Sequence, residues 1–418
     1  MAELESKSPP EVADSDIIVV GAGPAGASLA LLTAGLGFET VLIDARPSGP
    51  APRRDPRNFA IVRGSWRLLQ AAGVTDALEQ DAQPLNGLQA MDGATHLLGT
   101  PEVMFSNEDL GTGETLGFMV EAERLQSALD ERLSKPQDSL TILRPSRFEA
   151  LTHADGGVCA HLGSGDTIKA KLIAGCDGVN SPVRAALGIP VEGRDYGKSV
   201  FAADVSLSRP HGGIARQLFT PEGPFATLPL TGDRANLAWY MKSGAAEALA
   251  KRPKAEIEAE LNTRFSDFAG EMALIGPALS YPLKLQIAET MAGGRGVLVG
   301  DAARRINPLA GQGLNLGFKD VGALVEVISD ARSVGLDIGA PAVLERYQTW
   351  RRFDAAATAM AMDGIDRAFS NDNALLKPLR TLSMLAANEI TPLRKALSRQ
   401  ASADQKSLPK LLRGEALG

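Results

Sequence analysis

The sequence predicts an α/β fold in which a dinucleotide-type βαβ domain is interleaved with an antiparallel β-sheet domain and followed by C-terminal helices. Three observations carry this expectation. Asp16-Ile-Ile-Val-Val20 is a short apolar, β-branched run that ends in a glycine turn, and a helix and a second buried strand follow it. Between about 198 and 241 the runs VFAADVSLS, IARQLF, PFATLPL and ANLAWYM alternate or are apolar, split by PEG and TGDR turns, which predicts an antiparallel meander. Gly296-Val-Leu-Val-Gly300 then resumes the buried-strand pattern, and everything after Gly313 reads as helix. A pattern that stops and returns fits two interleaved domains better than two consecutive ones.

Each element has a local reason. Residues 24–36 are small and apolar after a proline, which suits a buried helix, and Thr40-Val-Leu-Ile-Asp44 is the second strand of a crossover unit. Residues 64–73 and 121–134 carry amphipathic helical spacing, Leu172-Ile-Ala-Gly175 is a further buried strand, and 245–265 is a charged helical stretch.

Composition bounds the function. At 418 residues the chain is long enough for two or three domains, and 44% apolar with 22% charged residues is an ordinary globular profile. A net charge of −7 argues against a nucleic-acid binder, which needs a surplus of lysine and arginine. Two cysteines, Cys159 and Cys176, cannot staple a chain of this size, so a reducing, cytoplasmic setting is expected. The acidic, proline-bearing N-terminus is no signal peptide, and no uncharged apolar run reaches the roughly 18 residues of a membrane span. From Ala374 to Gly418 eight basic residues face three acidic ones. That tail reads as a solvated helical face, with contact to an anionic inner-membrane surface or to a partner as the alternative.

Three motifs carry chemistry. The first is Gly21-x-Gly23-x-x-Gly26, set between a strand and a helix. The first glycine permits the tight turn, the second lets the backbone approach a pyrophosphate, and the third lets helix and strand pack closely. The helix start offers free N–H groups to the anion, with Ala25 in its first turn. Asp44 ends the next strand, placed to accept ribose hydroxyls. Together these predict dinucleotide binding without choosing between NAD and FAD.

The second motif is Cys176-Asp177-Gly178-Val-Asn-Ser181-Pro-Val-Arg184, at the end of a strand. Asp177 could serve a tight turn beside a diphosphate, while the plainer reading is an Asp-Gly turn before a helix N-capped by Ser181. The third is Gly300-Asp301-Ala-Ala-Arg304-Arg305 with Pro308-Leu-Ala-Gly311-Gln312-Gly313-Leu314-Asn315. Asp301 is placed for hydroxyls of a ribityl chain, and the glycine loop at a helix start would stabilise a flat, electron-accepting ring that becomes anionic when reduced.

These motifs in this order resemble the FAD-dependent aromatic hydroxylases, the single-component flavoprotein monooxygenases, and in particular their ubiquinone-biosynthesis branch. The resemblance also rests on Asp55-Pro-Arg57-Asn-Phe-Ala60 leading into Gly64-Ser-Trp-Arg-Leu-Leu69, on Gly223-Pro-Phe-Ala-Thr-Leu-Pro-Leu230 and Tyr281-Pro-Leu283, and on Glu345-Arg-Tyr347 through Arg351-Arg352, and it covers about 15–402. It implies a Rossmann-like FAD-binding domain of 15–78, 114–190 and 286–345 interleaved with a substrate-binding β-sheet domain of 79–113 and 191–285. Residues 1–14 would be a disordered tail and 346–418 a C-terminal helical region. It assigns Gly21, Gly23, Ala25, Gly26 and Asp44 to the ADP moiety and Arg57 to a cofactor contact, with Arg54 as a competitor. Asp177 would serve both FAD and nicotinamide binding and Asp301 the ribityl chain, while Pro308, Gly311, Gln312 and Gly313 would line the isoalloxazine, with Leu314 among the cofactor-binding residues and Asn315 supporting the loop. Arg304 stands where relatives commonly carry histidine. An arginine stays protonated, so it cannot be a general base but could face an anionic group, the alternative being a surface residue without a role.

The activity so implied is aromatic hydroxylation of a polyprenylated phenol through reduced FAD, dioxygen and a flavin hydroperoxide. NADH, NADPH or another donor would act as a transient reductant, since no second dinucleotide motif occurs. Hydroxylation of another aromatic compound, or a non-catalytic subunit within a quinone-synthesis complex, are the alternatives. A halogenase is disfavoured because Trp66, Trp239 and Trp350 all lack the Trp-x-Trp-x-Ile-Pro context. The four histidines show no metal-ligand spacing, and no metal is expected.

Overall fold

The computed structural model describes residues 12–49, 57–93, 101–111, 113–306, 312–352, 383–384, 386–403, 405 and 407–417. In chain order, the first half contains β1 (Val12–Val20), α1 (Pro24–Gly35), β2 (Thr40–Ile43), β3 (Asn58–Val62), α2 (Arg63–Ala71), β4 (Gln83–Leu85), β5 (Gly87–Asp92), β6 (Glu102–Ser106), β7 (Gly117–Glu121) and α3 (Ala122–Ser134). There follow β8 (Leu140–Leu143), β9 (Phe148–Ala154), β10 (Gly157–Leu162), β11 (Thr167–Gly175), α4 (Pro182–Ala186), β12 (Val191–Leu207), β13 (Ile214–Phe219), β14 (Phe225–Leu230) and β15 (Arg234–Lys242). The last part contains α5 (Ala245–Ala250), α6 (Lys254–Ala269), β16 (Met272–Leu274), β17 (Leu279–Ala288), β18 (Ala292–Gly293), β19 (Gly296–Leu298), β20 (Arg304–Arg305) and α7 (Gln312–Ser333). Helices at 341–352, Thr391–Ala401 and Lys410–Arg413 complete the described chain.

The nucleotide-type sheet runs in the order β18-β19-β11-β1-β2-β8, with the hairpin β9–β10 joined to β11. β19, β11, β1, β2 and β8 are mutually parallel. Parallel strands are covered on both faces, which is why Ile17 to Val20 and Val41 to Ile43 are apolar without alternation and all buried. α1 covers one face and is itself buried from Gly26 to Ala34, which explains its small, uniformly apolar sequence.

The second sheet runs β20-β17-β12-β15-β14-β13-β5-β6, with β16 paired to β12. Its meander is antiparallel from β12 through β15 and β14 to β13, while β13 meets β5 in parallel. Along β12 the residues Phe201, Ala203, Val205 and Leu207 face one way into a core with Trp239, Leu261 and Phe265. A third sheet, β3-β7-β4, joins residues 58–62, 83–85 and 117–121, which the sequence reading divides between two domains.

Several elements differ from expectation. The strands at 83–92, 102–106, 117–121 and 140–162 are not anticipated, because each is short or only half-buried and lacks a periodic signature. The helical stretch predicted at 245–265 is two helices broken at Pro253, which supplies no amide N–H to a continuing ladder. Helix is not continuous after Gly313 either. α7 stops at Ser333, and Gly335 turns the chain with φ 74° before 341–352 begins. The end of the chain folds back, with Leu411 and Leu412 buried against α2 and α7.

Candidate flavin site

Three loops meet at the carboxyl ends of neighbouring parallel strands: the Gly21 turn after β1, Cys176-Asp-Gly178 after β11, and Gly300-Asp301 after β19. Open parallel sheets bind ligands in this crevice, where loops from adjacent strands leave their backbones free.

The glycines of the first loop divide by role. Gly21 holds φ 100°, and a Cβ there would sit 2.5 Å from the Cys176 carbonyl oxygen. A Cβ on Gly26 would overlap the Gly21 carbonyl and lie 2.8 Å from the Cys176 Cβ, so this glycine seats α1 against β1 and β11. Gly23 is different. It has an ordinary φ of −68°, and no atom lies within 4 Å of the place its Cβ would take. No side chain caps α1 there, and Pro24 follows, so the helix start presents open space to an anion. Ala25 faces inward, its Cβ 3.6 Å from the Cβ position of Gly300, and so packs the loops together.

Asp44 is buried and its lone pairs are occupied. Oδ2 accepts the Ala22 amide at 2.5 Å and Arg46 Nη2 at 3.1 Å, and Oδ1 accepts the Arg46 amide at 2.7 Å and its Nε at 3.2 Å. Burial pushes this carboxyl upward, but the bonds from Arg46 and Ala22 outweigh it and hold the group below the usual range. A carboxylate offers about four lone-pair directions. A ribose hydroxyl therefore reaches Asp44 only by displacing Arg46, whose side chain is 54% exposed.

In the second loop the Ser181 hydroxyl accepts the Arg184 amide at 2.9 Å, the N-cap that the plainer reading anticipates. Asp177 Oδ2 accepts the Val183 amide at 2.9 Å, while its Oδ1 is buried and has no hydrogen-bond partner among the described residues. Burial raises the Asp177 carboxyl above its ordinary range, against the pull of its hydrogen bonds and Arg184. Gly178 has φ 83° and open space at its Cβ position. Arg184 is the bridge: it donates to the Ala302 carbonyl at 2.8 Å and to the Val179 carbonyl at 2.9 Å, which locks the second loop to the third.

In the third loop Gly300 turns with φ 62°, and its amide donates to Asp320 Oδ2 at 3.0 Å. Asp301 is accessible and accepts no hydrogen bond from the described residues. Enclosure by the surrounding crevice raises its carboxyl, opposed by the charges of Arg57, Arg305 and Arg304. Arg57 itself is exposed, its guanidinium 5.6 Å from the Phe59 ring centre. Pro308 and Gly311, like Arg54, lie outside the described residues, as does the side chain of Gln312. Gly313 has no atom within 4 Å of its Cβ position. Leu314 packs against the main core, and Asn315 ties the start of α7 to β3, donating to the Ala60 carbonyl at 2.7 Å and accepting the Val62 amide at 3.0 Å.

Arg304 requires a correction. It is no idle surface residue, and its charge is engaged inside the protein. It is 5% exposed, and Nη2 donates to Asp320 Oδ1 at 2.6 Å and to the Leu316 carbonyl at 3.4 Å. Arg351, also buried, donates to the same Oδ1 at 2.7 Å. The pairing of β20 with β17 produces this inward turn: successive strand residues point to opposite sides, so Arg304 goes in while Arg305 reaches the Pro282 carbonyl at 3.2 Å. Asp320 and Arg46 are not anticipated from sequence, and Arg351 is noted there only as part of the resemblance, without a role. The one signal for Asp320 is an acid within the apolar run of α7, and nothing local names its partners.

The arrangement fits FAD. Gly23, Gly178 and Gly313 leave open space beside two loops and a helix start, Asp177 Oδ1 lacks a partner, and Asp301 has free acceptors. The chain matches the family model described as FAD binding domain over residues 14–361. It is 36% identical over 405 residues to ubiquinone hydroxylase UbiL of Rhodospirillum rubrum, covering 96% of this chain and 93% of that protein. It is 35% identical over 379 residues to the 3-demethoxyubiquinol 3-hydroxylase of Escherichia coli, covering 89% and 94%. The crystal structure of p-nitrophenol 4-monooxygenase PnpA from Pseudomonas putida shares the fold, with a TM-score of 0.74 at 20% identity over 94% of this chain and 98% of that one. A family match along most of its length, joined to a site whose open glycines and free carboxylates suit the cofactor, makes this chain a member of the FAD-dependent aromatic hydroxylases, on the branch of the ubiquinone hydroxylases.

Proposed function

We propose that this FAD-dependent monooxygenase hydroxylates the aromatic ring of a polyprenylated phenol in ubiquinone biosynthesis, with NADH, NADPH or another donor as the transient reductant. The observation that carries the reading is the meeting of three loops around open glycines and an unengaged Asp301, in a chain whose relatives bear ubiquinone-hydroxylase names. Bound FAD supplies dioxygen activation and oxygen transfer. The protein's part is to hold it and exclude water. Gly23 and the start of α1 would receive the diphosphate, Asp177 the second loop's contact, and Asp301 the ribityl hydroxyls. Pro308, Gly311, Gln312 and Gly313 would line the ring, with Asn315 fixing their helix to β3.

A non-catalytic subunit loses its main support, because Arg304 has a structural partner and needs no altered chemistry to explain it. Contact with a quinone-synthesis complex and with a membrane surface belong to the same proposal. Lys395 and Arg399 are exposed on the Thr391–Ala401 helix, and no helix of the described residues is long and apolar enough to cross a bilayer. The test is direct. Purified protein should be yellow, and a polyprenylated phenol should accelerate nicotinamide oxidation and yield a hydroxylated product. Colourless protein with no affinity for FAD, or a normal quinone pool in a deletion strain, would overturn the reading.

A further inference from the structure

The face of β12 opposite its apolar core contains a charge that the flavin site does not use. Ala202 and Asp204 point away from the Phe201–Val205 face, and across the sheet they oppose Ala238 and Asn236 on β15, which in turn oppose Ala226 and Leu228 on β14. The patch is floored by alanines, with Asp204 and Asn236 as its polar edge. Leu228 packs in one cluster with Ala60 of β3, so this face meets the three-stranded sheet.

β3 also contributes to the edge. Asn58, immediately after Arg57, donates from Nδ2 to Asp204 Oδ1 at 3.0 Å, and Asn236 donates from Nδ2 to the same oxygen at 2.8 Å. Oδ2 accepts no hydrogen bond from the described residues, and Asp204 is only half-buried, so this oxygen is available. Asn58 Oδ1 is buried without a hydrogen-bond partner among the described residues, leaving a second acceptor alongside. Arg234, whose charge acts on Asp204, gives Nη1 to Glu121 at 3.3 Å. An acid so placed is costly unless something completes its bonding. The same β3 strand is clamped by Asn315 to the start of α7, two residues beyond Gly313. Asn58, at the polar edge of the patch, therefore lies on the strand that is tied to the expected ring site.

We propose that Asp204 anchors the substrate's phenolic hydroxyl, with Oδ2 accepting the O–H hydrogen bond while Asn58 and Asn236 hold Oδ1 in place. The inference rests on the functional reading above and names its substrate contact. No covalent bond changes in this contact. The phenol keeps its proton, shared toward Oδ2, and the hydrogen bond raises electron density on the ring that receives oxygen. The small side chains of Ala202, Ala226 and Ala238 on the same sheet face would be the surface the ring lies against.

The test uses FAD-loaded protein and follows the flavin spectrum during titration with the phenol and with its methyl ether, which cannot donate. Wild type should bind the phenol roughly tenfold to a hundredfold more tightly than the ether, the range of a hydrogen bond to a charged group. Asp204→Asn should lose most of that ratio while keeping its flavin spectrum and FAD affinity. A ratio unchanged in Asp204→Asn overturns this inference alone. Wild type that binds neither compound overturns the functional reading and the inference with it. If Asp204→Asn does not load FAD, Asn58→Ala is read in the same titration. It should lower the ratio several-fold, and an unchanged ratio overturns the proposal.

Discussion

Arg304 Nη2 lies 2.6 Å from Asp320 Oδ1, and the two side chains are 4% and 0% exposed. Asp320 also accepts Arg351 Nε at 2.7 Å and the Gly300 amide at 3.0 Å. One carboxylate oxygen thus serves two buried guanidinium groups, and the other oxygen fixes the glycine before Asp301. Removing a single partner from such a group leaves unpaired charge in a poorly solvated place.

The order of the two substitutions is set by what each leaves behind. Asp320→Ala removes an acceptor that two buried cations share and should cost about 3–5 kcal/mol in urea unfolding. Arg304→Met leaves Asp320 with Arg351 as a neutral pair and should cost clearly less. Equal losses, or a greater loss for Arg304→Met, would refute the account of the network.

Gly23 and Gly26 make a contrast in one turn of helix. Gly23→Ala fits an open position at φ −68° and should leave apoprotein stability within about 0.5 kcal/mol, yet weaken FAD binding at least about tenfold by blocking the approach of the diphosphate. Gly26→Ala meets the Gly21 carbonyl and should destabilise by about 1–3 kcal/mol or more before any cofactor is added. Thermal unfolding with and without FAD reads both effects.

Asp301 has a carboxyl raised by its enclosed setting, which means that holding it ionised disfavours the folded apoprotein. Asp301→Asn should raise the apoprotein melting temperature at neutral pH and, at the same time, weaken FAD. A raised folded pKa gives stability that grows as pH falls toward it, so the gain in the variant should shrink in mild acid. A variant less stable than wild type at neutral pH would contradict this.

Asp44 has the opposite sign. Its folded pKa lies below the ordinary value of about 3.9, so its contribution is complete above that pH and is lost as pH falls through the lower folded value. Asp44→Asn should therefore narrow its stability deficit against wild type only in strong acid, a difference that urea midpoints across pH would record.

Phenol binding should follow Asp204. Burial raises this carboxyl and Asn236 opposes that shift. Glu121 on β7 adds to the rise, while Arg234 on β15 and Asn58 on β3 pull it down. Phenol affinity should fall as pH drops through this raised pKa, and the methyl ether's affinity should not. Parallel curves for the two compounds would count against the anchor.

Much of this protein is legible in its sequence, because the forces that encode those features are local. The Gly21–Gly26 spacing, the uniformly apolar strands and the Ser181 cap each act within one turn or one strand, and period and turn chemistry reveal them. What only the tertiary structure decided is which distant groups meet. Asp204 meets Asn58 across 146 residues, and Asp320 meets Arg351 across 31 and Gly300 across 20. The inward turn of Arg304 depends on β20 pairing with β17, since strand neighbours face opposite sides and a one-residue shift would exchange Arg304 with Arg305. Two adjacent arginines look alike in the sequence, and only the pairing of β20 with β17 distinguishes the one that reaches Asp320.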